Sequence, residues 1–72
     1  MNTHYQIVVL GGGESGVGAA ILAKKKGKSV FVSDNGRIQQ KYIDVLIHNE
    51  IDFEDGGHTK SIILSAEEVI KS

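Results

Sequence analysis

The feature that most constrains the fold is an apolar segment that runs directly into a glycine-rich loop. Residues 7–10 read Ile-Val-Val-Leu, and residues 11–16 read Gly-Gly-Gly-Glu-Ser-Gly. A continuous β-branched run is typical of a parallel strand that is buried on both faces. Apolar residues then recur at helical spacing over residues 15–26. The segment therefore predicts a strand, a tight glycine turn and a helix in direct succession.

The rest of the chain alternates predicted strands with predicted helices. Strands are predicted over residues 5–10, 29–33, 51–54 and 67–70. Two helices are predicted over residues 15–26 and 38–49. A third, short helix is expected to be capped by Thr59 and to include residues 62–64. This β-α-β-α-β-α-β order predicts a Rossmann-like three-layer α/β unit. Its sheet is expected to be parallel, with right-handed crossovers and helices on both faces.

Composition limits the class of protein. The 72 residues are 40% hydrophobic and 24% charged, with a net charge of −1. These values predict a single globular domain over residues 1–72, without the basic excess that nucleic-acid binding usually leaves. We also expect the chain to be a monomer. The chain has no cysteine, and its apolar runs are shorter than the roughly 20 residues of a membrane helix. We therefore expect a cytoplasmic protein without nucleic-acid or membrane partners.

The glycines of the loop follow the Gly-x-Gly-x-x-Gly nucleotide-binding fingerprint. Gly11 permits the tight turn, Gly13 lets the backbone approach a diphosphate, and Gly16 lets the helix pack closely against the strand. The N–H groups of Glu14, Ser15 and Gly16 lie at the positive end of the helix dipole. They form an anion site without a basic side chain. The structural alternative is a tight turn that binds nothing.

Several polar side chains near this loop have two possible roles. The Ser15 hydroxyl either caps the helix, which we favour, or donates to a phosphate. The Glu14 carboxylate repels a diphosphate unless it points to solvent or toward the sugar. Asp34 follows the second strand about 20 residues further on, where such folds contact a ribose or base. It is equally suited to form an Asp-Asn-Gly turn with Asn35 and Gly36.

The remaining charged residues predict ordinary structural roles. Lysines 24–26 lie where a helix C-terminus favours cations, and Gly27 is placed for a left-handed cap. The acidic residues around the third strand are expected to form a solvated edge; they are Glu50, Asp52, Glu54 and Asp55. The histidines fall on different elements, so we expect no metal site, and we find no catalytic constellation. His58, in a Gly-Gly loop, is the one histidine of interest.

A family resemblance rests on residues 9–23, Gly27, residues 30–34, residues 57–59 and residues 69–72. Together these segments resemble the N-terminal domain of the Mur ligases, most closely the D-glutamate-adding type of peptidoglycan biosynthesis. The most specific part is the Gly-x-Gly-x-Ser-Gly loop combined with Ser-Asp at the end of the second strand. Because the family continues the last strand into Ser-Pro-Gly, we expect a fragment truncated after its fourth strand.

The resemblance implies a domain that holds the UDP end of UDP-N-acetylmuramoyl-L-alanine. It assigns Glu14, Ser15 and Gly16 to the diphosphate, and Asp34, Asn35 and Gly36 to uridine. Together with Gly11 and Gly13 of the fingerprint, these are the predicted UDP-binding residues. Two departures from the family are Gly36, where some members have a larger or basic residue, and Gly12, which is expected to make the loop more flexible.

The parent reaction that the resemblance implies is amide-bond formation driven by ATP. An acyl phosphate forms on the alanine carboxylate, and the D-glutamate amine displaces it. A central domain would bind ATP and magnesium, and a C-terminal domain would bring D-glutamate. This chain would then hold no cofactor and no catalytic residue, and would be inactive alone. The alternatives are an NAD- or FAD-binding half-domain of an oxidoreductase and a nucleotide-sensing regulatory module.

Overall fold

One parallel sheet of four strands forms the centre of residues 4–72, the part of the chain that a computed structural model describes. The strands are β1 (Ile7–Leu10), β2 (Val30–Ser33), β3 (Asp52–Glu54) and β4 (Glu68–Lys71), in the spatial order β3-β2-β1-β4. β1 is central, with Val8 opposite Phe31 on one side and Val69 on the other. The predicted parallel sheet is confirmed, and β3 lies at an edge as its alternating sequence predicts.

Helices cover both faces of this sheet. They are α1 (Glu14–Lys25), α2 (Gln40–His48) and α3 (Lys60–Ser65). The larger core cluster lies between the sheet and the two longer helices, and includes Val9, Val32, Ala20 and Leu46. The opposite face carries a smaller cluster around Tyr5, Val8 and Phe31, against which Ile62 and Ile63 of α3 pack. The three-layer α/β architecture is therefore confirmed.

The predicted elements all occur, but several are shorter than their apolar patterns. Tyr5 is buried, yet it lies outside β1, which begins at Ile7. Ile38 is also buried, but it lies in the extended segment before α2 and not in the helix, which Gln39 caps. Its apolar side chain matched the helical period because it faces the same core, so the period alone placed the helix start too early.

The C-terminus of α1 has the predicted cap. Gly27 adopts a left-handed conformation, with φ of 84°, and its N–H donates to the Lys24 carbonyl at 3.0 Å. Lys24 and Lys25 lie exposed in the last turn, where they complement the negative end of the helix dipole.

The turn between β1 and α1 brings two glycines into close contact. Gly11 has φ of 114°, a conformation that favours glycine. A Cβ added to Gly16 would lie 1.8 Å from the Gly11 carbonyl oxygen. The roles predicted for these glycines, a tight turn and a close helix–strand approach, are thus confirmed.

Substituting Gly16 should therefore force α1 away from the turn. We expect Gly16→Ala to lower the free energy of unfolding by about 1–3 kcal/mol or more, the usual cost of overpacking. Gly18→Ala is the matched control, because a Cβ there meets nothing within 4 Å. That change should be neutral or stabilising by about 0.5–1 kcal/mol. Urea denaturation of both variants measures the difference, and equal stabilities would contradict the close contact.

Candidate functional site

The candidate site lies where the carboxyl ends of the parallel strands meet. From β1, the chain proceeds to β2 and β3 on one side and reaches β4 on the other. Open α/β sheets bind ligands outside the carboxyl ends of their strands, at the point where the strand order reverses. The glycine loop, residues 11–16, follows β1 at this point, and Ser72 follows β4.

The glycine loop contains backbone N–H donors that have no acceptor within the helix. Gly13 is the N-cap of α1 and has an extended conformation, with φ of −85° and ψ of −165°. The first-turn amides of Glu14, Ser15 and Gly16 have no acceptor within the helix. A Cβ added to Gly13 would meet nothing within 4 Å, so a ligand can approach this backbone closely.

The favoured interpretation of Ser15 as a helix cap is wrong. The helix begins one residue earlier, at Glu14, and Gly13 caps it without a side-chain hydrogen bond. Ser15 therefore lies inside the first turn, where its Oγ is 3.0 Å from the Ser72 Oγ. Glu14 is exposed in the same turn, where a carboxylate interacts favourably with the helix dipole.

Ser72 is a residue of this edge that the predicted site did not include. Its N–H donates to the Leu10 carbonyl at 3.1 Å, which continues the β1–β4 ladder beyond the last strand residue. A Cβ added to Gly11 would lie 3.0 Å from the Ser72 Oγ. The signal that could have identified it is its position directly after a strand that pairs with β1.

Asp34 joins the glycine loop to the β2 tip, which we define as residues 34–36. Its Oδ2 accepts a hydrogen bond from the Gly12 N–H at 2.7 Å, and its Oδ1 accepts one from the Gly36 N–H at 2.8 Å. The second bond is the turn contact that the Asp-Asn-Gly sequence predicts. The amide bonds from Gly12 and Gly36 lower the pKa of Asp34, desolvation opposes them, and the nearby His58 adds to the lowering.

Gly12 is restrained, against the flexibility expected of it. Besides the bond to Asp34, its α-carbon packs so closely on Ile38 that an added Cβ would lie 2.7 Å from the Ile38 Cγ1. Gly12 is buried. Because Gly12 has no side chain, the glycine loop can pack closely against the segment before α2.

The acidic residues around β3 are not simply a solvated edge. Asp52 accepts a hydrogen bond from the Tyr5 hydroxyl at 2.6 Å, and the Asp55 Oδ2 accepts one from the Ile38 N–H at 2.9 Å. Burial and the Asp52 carboxylate together raise the pKa of Tyr5 to about 12. Glu54 accepts from Ser33. Asp52 and Asp55 are exposed at or beside the edge strand β3, as predicted, whereas Glu54 is only partly exposed. All three carboxylates also accept hydrogen bonds from groups distant in sequence, which the prediction did not include.

The predicted site residues are brought together along one edge. The residues assigned to the diphosphate lie in the glycine loop, those assigned to uridine lie in the β2 tip, and the Gly12–Asp34 bond joins the two segments. Their contacts with a ligand remain a prediction. His48 is exposed at the end of α2, away from these segments in the sequence, whereas the ring of His58 contacts Ser33 at the end of β2.

A parallel α/β unit with a glycine turn at its reversal point is typical of nucleotide-binding domains. The MurD N-terminal domain family matches residues 6–71 of the chain. The chain therefore belongs to the MurD N-terminal domain family, as the resemblance of its motifs predicts.

Curated relatives agree with this family. The chain is 60% identical over 67 residues to a UDP-N-acetylmuramoylalanine–D-glutamate ligase of Christiangramia forsetii. The aligned region covers 93% of the chain and 15% of that protein. It is also 60% identical over 68 residues to the ligase of the same name from Porphyromonas gingivalis, covering 94% of the chain and 15% of the relative. The chain thus spans about 15% of the length of these relatives. No solved structure matches it.

Two features are absent from the described residues 4–72. No helix in this range has the length and apolar character of a membrane-spanning segment. No group of three or more His, Cys, Asp or Glu side chains in the same range is arranged to hold a metal ion.

The two amide bonds to Asp34 predict a pH-dependent contribution to stability. We expect Asp34→Asn to lower the free energy of unfolding by about 1–3 kcal/mol at pH 7, because one of the two amides loses its acceptor. The folded-state pKa of Asp34 is lowered. The stability that the ionised Asp34 carboxylate contributes is therefore fully present above its unfolded-state pKa of about 3.9. It is lost as the pH falls through the lower folded-state pKa.

Urea denaturation at pH 7 and at pH 3 measures this effect. The difference between Asp34→Asn and the unchanged chain should shrink at the lower pH. Asp44→Asn is the control, because Asp44 accepts its bond from Gln40 on the exposed face of α2. A pH-independent difference for Asp34→Asn would show that the charge of Asp34 does not stabilise the junction.

Proposed function

We propose that residues 1–72 form one domain that anchors the UDP end of UDP-N-acetylmuramoyl-L-alanine in an ATP-dependent D-glutamate ligase of peptidoglycan synthesis. The observation that carries the proposal is the hydrogen bond from the Gly12 N–H to the Asp34 carboxylate. It holds the glycine loop and the β2 tip side by side at the reversal point of the sheet. One nucleotide can therefore contact both segments.

The diphosphate is proposed to bind at the start of α1. The first-turn amides of Glu14, Ser15 and Gly16 donate to its oxygens, and the helix dipole favours its negative charge. Gly13 leaves the space that close approach requires. The hydroxyls of Ser15 and Ser72, 3.0 Å apart, are two further groups able to donate to a phosphate. Exposure of Glu14 to solvent limits its repulsion of the ligand.

Uridine is proposed to bind at the β2 tip. Asn35 and Gly36 are exposed, and the Asp34 carboxylate fixes the turn that presents them. Each carboxylate oxygen has a second lone pair, so Asp34 can accept from uridine while it keeps its amide bonds. The tip offers both side-chain and backbone groups to a base or ribose.

This domain positions the substrate and leaves the chemistry to the rest of the ligase. Binding of the UDP end restricts the position of the distant alanine carboxylate. The binding free energy of these remote contacts therefore offsets part of the entropy that is lost when the carboxylate is positioned for reaction. ATP, magnesium and D-glutamate are then bound by other domains of the same polypeptide, with which this domain works in the cytoplasm. The isolated domain is proposed to be a monomer without ligase activity.

The direct test is an NMR titration of the 72-residue chain with UDP-N-acetylmuramoyl-L-alanine, UDP, NAD and FAD. We expect amide shifts at residues 13–16 and 34–36 with the two UDP ligands and weaker or no shifts with NAD and FAD. A preference for NAD or FAD would favour a dinucleotide-binding domain. Failure of both UDP ligands to shift these amides would overturn the proposal.

A substitution of Gly13 tests the approach of the ligand with little effect on folding. Gly13→Ala should lower the free energy of unfolding by no more than about 1 kcal/mol, because its Cβ enters open space and the backbone conformation suits alanine, so the only cost is that alanine is a poorer helix N-cap than glycine. The same Cβ occupies the place of the diphosphate, so UDP affinity should fall about tenfold or more, a loss of about 1.4 kcal/mol. Isothermal titration calorimetry measures the affinity, with Gly18→Ala as the control on the same helix. Equal UDP affinity in both variants would place the diphosphate elsewhere.

A further inference from the structure

A buried hydroxyl lies directly before the β2 tip. Ser33, the last residue of β2, has none of its surface exposed to solvent. Its Oγ is 2.8 Å from the Glu54 Oε2 and 2.6 Å from the His58 Nδ1. These contacts join the ends of β2 and β3 to the loop that precedes α3.

The chemistry of the three groups sets the direction of both hydrogen bonds. A serine hydroxyl has one proton, and an ionised carboxylate only accepts. Burial raises the pKa of Glu54, but hydrogen bonds from Thr59 and Ser33 and the nearby His58 outweigh it, and the pKa lies below its usual value. The Ser33 hydroxyl therefore donates to Glu54 and accepts from His58, whose ring carries its proton on Nδ1.

The loop that ends at His58 also holds the backbone of the β2 tip. We define the β3 loop as residues 55–58. The Gly56 N–H donates to the Gly36 carbonyl at 2.6 Å, and the Gly57 N–H donates to the Asp34 carbonyl at 3.3 Å. The conformation of the tip thus depends on the conformation of this neighbouring loop.

Side chains fix the β3 loop at both of its ends: the Asp55 carboxylate accepts from the Ile38 N–H at 2.9 Å, and His58 contacts Ser33. Gly56 and Gly57 have φ of 78° and 149°, and a Cβ on either would meet nothing within 4 Å. Two consecutive glycines lose much conformational entropy when they are fixed. His58 follows them directly and ties the loop to Ser33, while Thr59 donates to Glu54 from its N–H at 2.7 Å and its hydroxyl at 2.6 Å.

We propose that His58 is a positioning residue for nucleotide binding, acting through Ser33 and the β3 loop to fix the β2 tip that receives uridine. This inference rests on the proposed function, which assigns uridine to the tip. His58 is itself exposed, so its ring contributes little to the hydrophobic core. Its bond to Ser33 instead restricts the Gly-Gly segment whose amides hold the tip carbonyls.

The test compares His58→Ala with His58→Asn in the 72-residue chain. The side-chain amide of asparagine places a donor close to the position of Nδ1, so it can keep the bond to Ser33, whereas alanine cannot. UDP affinity is measured by calorimetry, and the amide shifts of residues 34–36 are measured without ligand. His48→Ala, on the exposed end of α2, is the control for loss of an imidazole.

We expect His58→Ala to weaken UDP binding about three- to tenfold, which corresponds to the net value of one hydrogen bond. The ligand-free shifts of residues 34–36 should move in the same variant. His58→Asn should restore both the affinity and the shifts. Unchanged UDP binding in His58→Ala would overturn the proposal, as would equal weakening by alanine and asparagine. Loss of the folded NMR spectrum in His58→Ala would make His58 a fold residue and also overturn it.

The same measurements distinguish failure of the proposed function from failure of the inference about His58. If the unchanged chain binds no UDP, uridine does not bind at the β2 tip, and the proposed function fails whatever His58 does. The ligand-free shifts of residues 34–36 then decide the structural half of the inference. Movement in His58→Ala with recovery in His58→Asn would support control of the tip by His58, and identical shifts in both variants would refute it.

Discussion

The hydrogen bond from the Gly12 N–H to the Asp34 carboxylate is the contact on which the candidate site depends. It joins two turns that follow different strands and are separated by 22 residues in the sequence. The other oxygen of the same carboxylate fixes the β2 tip through Gly36. A charged acceptor makes such bonds stronger than neutral ones. One side chain therefore adds a direct bond between the tip and the glycine loop to the backbone bonds that the sheet and the β3 loop supply.

Glycines permit close packing around that bond. Because Gly12 has no Cβ, Ile38 can pack directly on its α-carbon beside the bond to Asp34. Gly16 likewise brings α1 against the carbonyl of Gly11. The glycines of the fingerprint thus have separate structural functions. Gly13 has open space before it and is the fingerprint glycine proposed to leave room for a ligand.

The fold could be predicted from sequence because its signals are local. The continuous apolar run of β1, the helical period of α1 and the turn residues after β2 each specify their own element. Alternation of the elements then implies a parallel sheet. Ile38 shows the limit of this reasoning: its apolar side chain fits the period of α2, yet its N–H donates to Asp55 and not within a helix.

The polar contacts of the site could not be predicted in the same way. Ser15 has the residue type of a helix cap, but its role depends on the backbone angles of Gly13 and on Ser72, which is 57 residues away. Glu54 has the pattern of a solvated edge residue, but Ser33 and Thr59 give it three hydrogen bonds. Such partners are defined by the register of the sheet, which sequence period does not specify.

The pairing of β1 with β4 has a consequence for how the chain folds. Ile7 pairs with Glu68, so this ladder requires the closure of nearly the whole chain, and contacts so distant in sequence form slowly. The edge between the glycine loop and Ser72 exists only after that closure. A ligand bound there would stabilise the fully closed chain over partly folded forms that have only β1, α1 and β2 in place. The nucleotide binding proposed for this edge would thereby be coupled to the completion of folding.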